Sequence, residues 1–260
     1  MTAVNRLRAG IGAVMGMRER NRDQSVQKDA DSQMRHGICI WSIMKTAALL
    51  AVVILLCVPG IMGYKAKAVE VNSMEDSKKI AITFDDGPHP YYTEQLLDGL
   101  KERGVKATFF VTGKHVEQYP DLVERMNEEG HLIGNHTYSH IQLNGNNEDK
   151  FKEELIKTNE IIEDLTGQEV QYVRPPYGSW DKKFEKELNM FPVLWTIDPL
   201  DWCSDNVACI VKNVTSKAKE NSIILMHDEY KSTVTAALQI IDSLQEEGFE
   251  FVTVDELLFD

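Results

Sequence analysis

The chain has 260 residues, 43% hydrophobic and 27% charged, with only 16 Gly and 8 Pro, which supports a sizeable core and excludes a disordered or collagen-like chain. Its net charge of −13 is uneven: residues 1–36 carry 7 Lys/Arg against 4 Asp/Glu, Lys45 adds a cation, and Thr46 to Asp260 is left at −17. So acidic a domain repels phosphate backbones, which excludes nucleic acid as a partner, and it meets anionic lipid only through its basic front end.

That front end reads as an address. Residues 46–64 (TAALLAVVILLCVPGIMGY) carry no charge over 19 positions, close to the ~20 needed to span a bilayer. The basic residues before them keep 1–45 cytoplasmic and send the rest across. Two readings stay open, a retained anchor and a cleaved signal peptide. The apolar run Ala47 to Cys57 has the length of a signal core, and Ala66-Lys67-Ala68 offers a cleavage site before Val69. Initiation at Met34 would give a short, basic leader. Either way the domain lies outside the membrane, secreted or anchored by one helix. Residues 65–78 read as a linker, and 79–260 as a single domain. Of the four cysteines, Cys39 and Cys57 belong to the front end. Cys203 and Cys209 form either a short-loop disulfide or two free thiols.

From Lys79 strands and helices alternate. Strands are expected at Ile80–Phe84, Ala107–Val111, Leu132–Gly134, Val170–Val173, Val193–Ile197, Ile223–Met226 and Phe249–Val252. Helical periodicity covers Tyr92–Arg103, Asp121–Glu129, Glu148–Thr166, Asp205–Lys219 and Thr233–Glu247. Short apolar runs separated by amphipathic helices predict an α/β fold, a parallel sheet covered by helices. About seven such units favour a closed or nearly closed β/α barrel, in which functional side chains follow the carboxyl ends of strands.

Five unusual segments fall just after expected strands: Thr83-Phe84-Asp85-Asp86-Gly87, His136-Thr137-Tyr138-Ser139-His140, Arg174-Pro175-Pro176-Tyr177-Gly178, Asp198-Pro199-Leu200-Asp201-Trp202 and Leu225-Met226-His227-Asp228. Adjacent carboxylates repel, so Asp85 and Asp86 invite a cation on one and a proton task for the other, although Asp-Asp-Gly-Pro also suits a plain turn. His136 and His140, spaced i, i+4, share a face if the segment is a helical turn. With one carboxylate they make a two-His, one-carboxylate set suited to zinc, cobalt, nickel or ferrous iron; two surface histidines are the bland alternative. Arg174, stiffened by the prolines after it, can orient a carboxylate through paired hydrogen bonds, or form an ordinary surface ion pair. His36, His89, His115 and His131 have no partner at useful spacing.

Together, in this order, the five segments resemble the signature of the NodB-homology polysaccharide deacetylases, the fourth carbohydrate esterase family, over about Lys79 to Val254. Ala107–Gly113 (ATFFVTG) is similar to the family's second strand. The resemblance implies a deformed β/α barrel and a hydrolase that removes acetyl groups from N-acetylated sugar polymers with a divalent metal, zinc first and cobalt or nickel next. It implies Asp85 as general base, Asp86, His136 and His140 as metal ligands, and Arg174 as the residue positioning the base. It further implies the Tyr177 N–H as oxyanion donor, His227 as general acid tuned by Asp201, and Trp202 and Leu225 as walls of the acetyl pocket. Tyr177 stands where a branch acting on N-acetylmuramic acid tends to carry Arg, which favours N-acetylglucosamine, first of all in peptidoglycan. Chitin oligomers, poly-N-acetylglucosamine and acetylated xylan stay open as substrates, and a monomer is expected. Two rivals are a non-catalytic cell-wall-binding module and a ferrous oxygenase built on the same ligand set.

Overall fold

The computed structural model describes residues 78–259. The expected segments 1–45 and 46–64 and nearly all of the linker lie outside the described residues, among which no helix is long and apolar enough to cross a membrane.

Seven strands form a parallel sheet: β1 Lys78–Asp85, β2 Thr108–Val111, β3 Leu132–Asn135, β4 Tyr172–Val173, β5 Phe191–Pro192, β6 Ile223–His227 and β7 Phe249–Phe251. Their spatial order is β5-β4-β3-β2-β1-β6, with β7 paired to the first residues of β1. Among the described residues eight α-helices connect or flank them: α1 Tyr92–Arg103, α2 Gly113–Gln118, α3 Pro120–Glu128, α4 Glu148–Thr166, α5 Lys183–Leu188, α6 Val207–Thr215, α7 Lys231–Glu246 and α8 Val254–Phe259. Gly104 and Gly167, both left-handed, end α1 and α4 where the periodicity stops.

One expectation needs correcting. Val193–Ile197 is not a regular strand. The ladder bonds of β5 end at Val193, whose N–H donates to the Val173 carbonyl, and the chain then crosses to β6 and meets it at one bridge, Ile197 to Ile224. Pro192, which lacks an N–H, and the irregular turn after it make this the weakest stave. The sheet therefore curls into an incomplete barrel, the deformed form the resemblance implies. Cys203 and Cys209 are free and exposed, so the disulfide alternative is not realised.

Alternation along β1 separates two environments. Ile80, Ile82 and Phe84 face the helices and belong to the main core, whereas Ala81 joins Phe110, Tyr172, Val193 and Ile223 in a small cluster inside the barrel. Thr83 and Asp85 continue the inner row. Parallel register pairs Asp85 with both Phe110 and His227, Val111 with Asn135, and Asn135 with Val173. The residues that end or follow these strands thus share one rim.

Gly134 sits beside Phe110 in this register, and a Cβ there would lie 2.6 Å from the Phe110 ring. The ring in turn underlies the Arg174 guanidinium at 4.2 Å. Gly134→Ala is expected to lower stability by about 1–3 kcal/mol through overpacking, seen as a lower urea midpoint at unchanged slope. Wild-type stability in that variant would show that the barrel interior is not packed in this way.

Candidate metal centre and acid–base site

Asp86 is the first residue past β1, with φ 74°. Two hydrogen bonds hold its carbonyl in this left-handed turn: the Thr112 hydroxyl donates at 3.1 Å, and His115 Nδ1 lies at 2.8 Å and must carry a proton to bond an acceptor. Neither residue was assigned a part from sequence. They act on a backbone carbonyl, which leaves no spacing pattern between side chains.

His136 and His140 reach Asp86 without a helical turn, which corrects that expectation. Residues 136–140 form a loop in which Thr137 and His140 have φ 62° and 58°. The Asn135 side chain accepts the Thr137 N–H at 2.7 Å and is itself held by the Leu155 carbonyl and Asn159 on α4. His136 Nδ1 stands 2.5 Å from the Arg174 carbonyl and so bears its proton, leaving the Nε2 lone pair turned to Asp86.

Three acceptors therefore converge. Asp86 Oδ1 is 3.4 Å from both His136 Nε2 and His140 Nε2, and it is buried with no hydrogen-bond partner among the described residues. An orphaned carboxylate oxygen between two imidazole nitrogens is costly unless a cation sits there. The spacing suits one, because bonds of about 2.05 Å at tetrahedral angles place ligand atoms about 3.4 Å apart. Among the described residues this is the group of His, Cys, Asp and Glu able to hold an ion, its donor atoms within 4.8 Å of one another. Burial raises the Asp86 pKa, but His136, with the charges of His140 and His227, more than reverses this and brings it to about 2. Burial lowers His140, which favours the neutral, ligating form.

Asp85 is buried beside this trio. Its Oδ1 accepts from Arg174 Nη1 at 2.8 Å, and its Oδ2 lies 3.8 Å from His136 Nε2. Arg174 is wholly buried rather than on the surface. It does not grip Asp85 with paired bonds, as expected: one nitrogen serves both Asp85 and the Thr83 hydroxyl (2.5 Å), while Nε donates to the Val193 carbonyl at 3.1 Å and Nη2 to that of Leu194 at 3.4 Å. The crossing after β5 consumes the other half of the fork.

On the opposite side, Asp201 receives the His227 backbone N–H at 2.8 Å and faces His227 Nδ1 at 3.0 Å; the Thr233 hydroxyl on α7 also donates to it, at 2.8 Å. Nδ1 is thus occupied and Nε2 is left for the site. Burial lowers the His227 pKa, but the hydrogen bond and charge of Asp201, then Asp85 and Asp86, outweigh it and raise the imidazole to about 9. Tyr177, at φ 57°, sets its ring edge-on to His140 at 5.0 Å. Trp202 and Tyr177 are exposed and Leu225 is buried. A cavity of about 270 Å³ opens beside Asp86 and His140, bordered by Lys114, Tyr138 and Glu229.

Because the folded pKa of His227 is raised above the 6.5 of an unperturbed imidazole, its contribution to stability is complete below pH ~6.5 and is lost as pH rises through ~9. In metal-free protein, NMR titration is expected to find this imidazole charged at neutral pH. Asp201→Asn should move its midpoint down toward 6.5 and reduce stability below that pH by ~3 kcal/mol, with the difference shrinking toward pH 9. An unmoved midpoint would remove Asp201 as the cause.

A sequence model described as polysaccharide deacetylase matches residues 72–193. The chain is 40% identical over 191 residues to the peptidoglycan-N-acetylglucosamine deacetylase PgdA of Listeria monocytogenes, covering 74% of this chain but only 41% of that protein's length. The peptidoglycan deacetylase PdaC of Bacillus subtilis, named as acting on N-acetylmuramic acid, has a solved structure that superposes with a TM-score of 0.68 at 40% identity, over 70% of this chain and 90% of that one. A Bacillus anthracis protein described as a pseudoenzyme of the same esterase family superposes at 0.66 with 30% identity, over 70% of this chain and 66% of that one. The barrel and the similarity along most of the described residues agree: this chain belongs to the polysaccharide deacetylase family.

Proposed function

We propose that the chain is an extracytoplasmic hydrolase that removes N-acetyl groups from a cell-wall polysaccharide, N-acetylglucosamine in peptidoglycan first among them. The observation that carries this reading is the orphaned Asp86 oxygen, 3.4 Å from two imidazole nitrogens, with a buried carboxylate on one side and a charged imidazole on the other. A pseudoenzyme among the similar structures means that the fold alone does not imply turnover; the case rests on these side chains, and this chain keeps all of them.

Asp86, His136 and His140 hold the divalent cation, zinc in the first place and cobalt or nickel otherwise. When bound, it polarises the acetyl carbonyl and makes a water molecule acidic enough to react near neutral pH. Asp85 receives that water's proton, with Arg174 fixing its other oxygen so that the free one faces the reacting centre. The Tyr177 N–H donates to the oxygen on which charge builds. His227, kept charged by Asp201, gives its Nε2 proton to the departing amine. Trp202 and Leu225 flank the acetyl methyl.

The sugar unit is the finer step. Similar proteins are named for N-acetylglucosamine in one case and N-acetylmuramic acid in another. Tyr177, in place of the Arg of the muramic branch, supports the former. Export rests on the uncharged run at 46–64 behind a basic leader.

Acetate release by the purified chain should be greatest on peptidoglycan, lower on chitin oligomers, poly-N-acetylglucosamine and acetylxylan, and abolished by chelator until Zn2+ or Co2+ is restored. Asp85→Asn should keep its metal and lose about 10²–10⁴ in turnover, and His227→Ala a similar amount. Release from no polymer would leave the non-catalytic reading standing, and chelator-insensitive release would end the metal assignment.

A further inference from the structure

Glu154 is buried at the edge of the stripe that Phe151, Leu155, Thr158 and Ile162 form along α4, where an amphipathic helix normally places apolar side chains. Both carboxylate oxygens are committed to one residue of the histidine loop. Oε2 accepts the Ser139 backbone N–H at 2.9 Å and Oε1 accepts the Ser139 hydroxyl at 2.7 Å. Ser139 stands directly before His140, whose backbone is left-handed, a state that costs a non-glycine residue roughly 1–2 kcal/mol. His136 has a second anchor in the Arg174 carbonyl. No hydrogen bond fixes the His140 ring among the described residues; its aim is set by its backbone and by ring contacts with His136 and Tyr177. The other end of the loop is tied to the same helix through Asn135, Leu155 and Asn159.

We infer that Glu154 is a positioning residue that sets metal affinity by holding Ser139, and through it His140, in the ligating geometry. The inference rests on the reading that Asp86, His136 and His140 bind the cation. It adds that α4, which contributes no ligand, decides how tightly they do so. A carboxylate suits the task because its two oxygens accept from a backbone N–H and a hydroxyl donor together.

The test is titration of the metal-free chain with Co2+, following its visible d–d absorption, with thermal unfolding measured in parallel. Glu154→Ala should raise the Co2+ dissociation constant about 10- to 100-fold, the range for lost outer-shell partners, and alter the absorption envelope. Glu154→Gln should stay close to wild type, since its amide oxygen can accept the Ser139 N–H while its NH2 donates to the hydroxyl oxygen. A folded Glu154→Ala protein with wild-type affinity and spectrum, whatever its Tm, overturns the inference. Should Glu154→Ala not fold, Ser139→Ala, which deletes one of the two bonds, decides the matter: a several-fold weakening supports the inference and unchanged binding overturns it. If wild-type protein binds no Co2+, the site reading and this inference fall together. If binding vanishes in His140→Ala yet persists unchanged in Glu154→Ala, only this inference falls.

Discussion

A single buried cation organises the barrel. Taking the Arg174 guanidinium out of water carries a penalty of several kcal/mol, and the structure offsets it with partners from every side of the interior. Asp85 and Thr83 on β1, and the carbonyls of Val193 and Leu194 in the crossing after β5, receive its N–H groups, and the Phe110 ring on β2 lies under its plane. Its own carbonyl faces His136. One residue thereby closes the weak stave, orients the carboxylate proposed as base and fixes the tautomer of a proposed ligand. Removing its charge would leave Asp85 buried and unpaired, the costliest kind of loss in a small interior. The barrel is incomplete in its backbone ladder and is completed by this side chain.

Backbone strain follows the same plan. Seven non-glycine described residues have positive φ, and two of them, Asn189 and Asn221, lie away from the site. The other five are Asp86, Thr137, His140, Tyr177 and Leu200, all in the loops after strand ends. Such conformations persist where the surroundings over-determine them. Here the restraints come from helices and neighbouring loops: Thr112 and His115 on the Asp86 carbonyl, Asn135 on the Thr137 N–H, Glu154 on Ser139. The strands supply the rim, and the polar bonds behind it turn each side chain inward.

These two layers differ in how far sequence reveals them. Helices with a long apolar stripe and a glycine stop, Tyr92–Arg103 and Glu148–Thr166, could be read to the residue, and six of the seven strands to within a few positions at each end. Their signals are periodic and local. The crossing at 193–197 has the apolar and β-branched composition of a strand, while its path depends on Arg174 drawing its carbonyls inward. The short α2, with six residues, is too brief for a period to emerge. Asp85, Asp86, His136, His140, Arg174, Asp201 and His227 stand out because their segments directly follow expected strands. Thr112, His115 and Glu154 do not, since each acts on backbone or hydroxyl groups of another loop, and Glu154 passes for one more acid among the many on a charged helix.

Electrostatics separates two imidazoles that share one small site. His140, half-buried with His136 next to it, is pushed toward its neutral form, for burial outweighs the pull of Asp86. His227 is more deeply buried, yet moves the other way, because Asp201 contacts both its ring and its backbone N–H and carries no competing cation. Burial alone would have made both neutral, so the hydrogen-bonded carboxylate decides the difference. Groups whose environments drive their pKa values apart are suited to opposite tasks, one offering a lone pair and the other a proton. A chain with the same fold but a neutral side chain at position 201 would keep the Asp86, His136 and His140 cluster and lose what holds the His227 imidazole in its charged form.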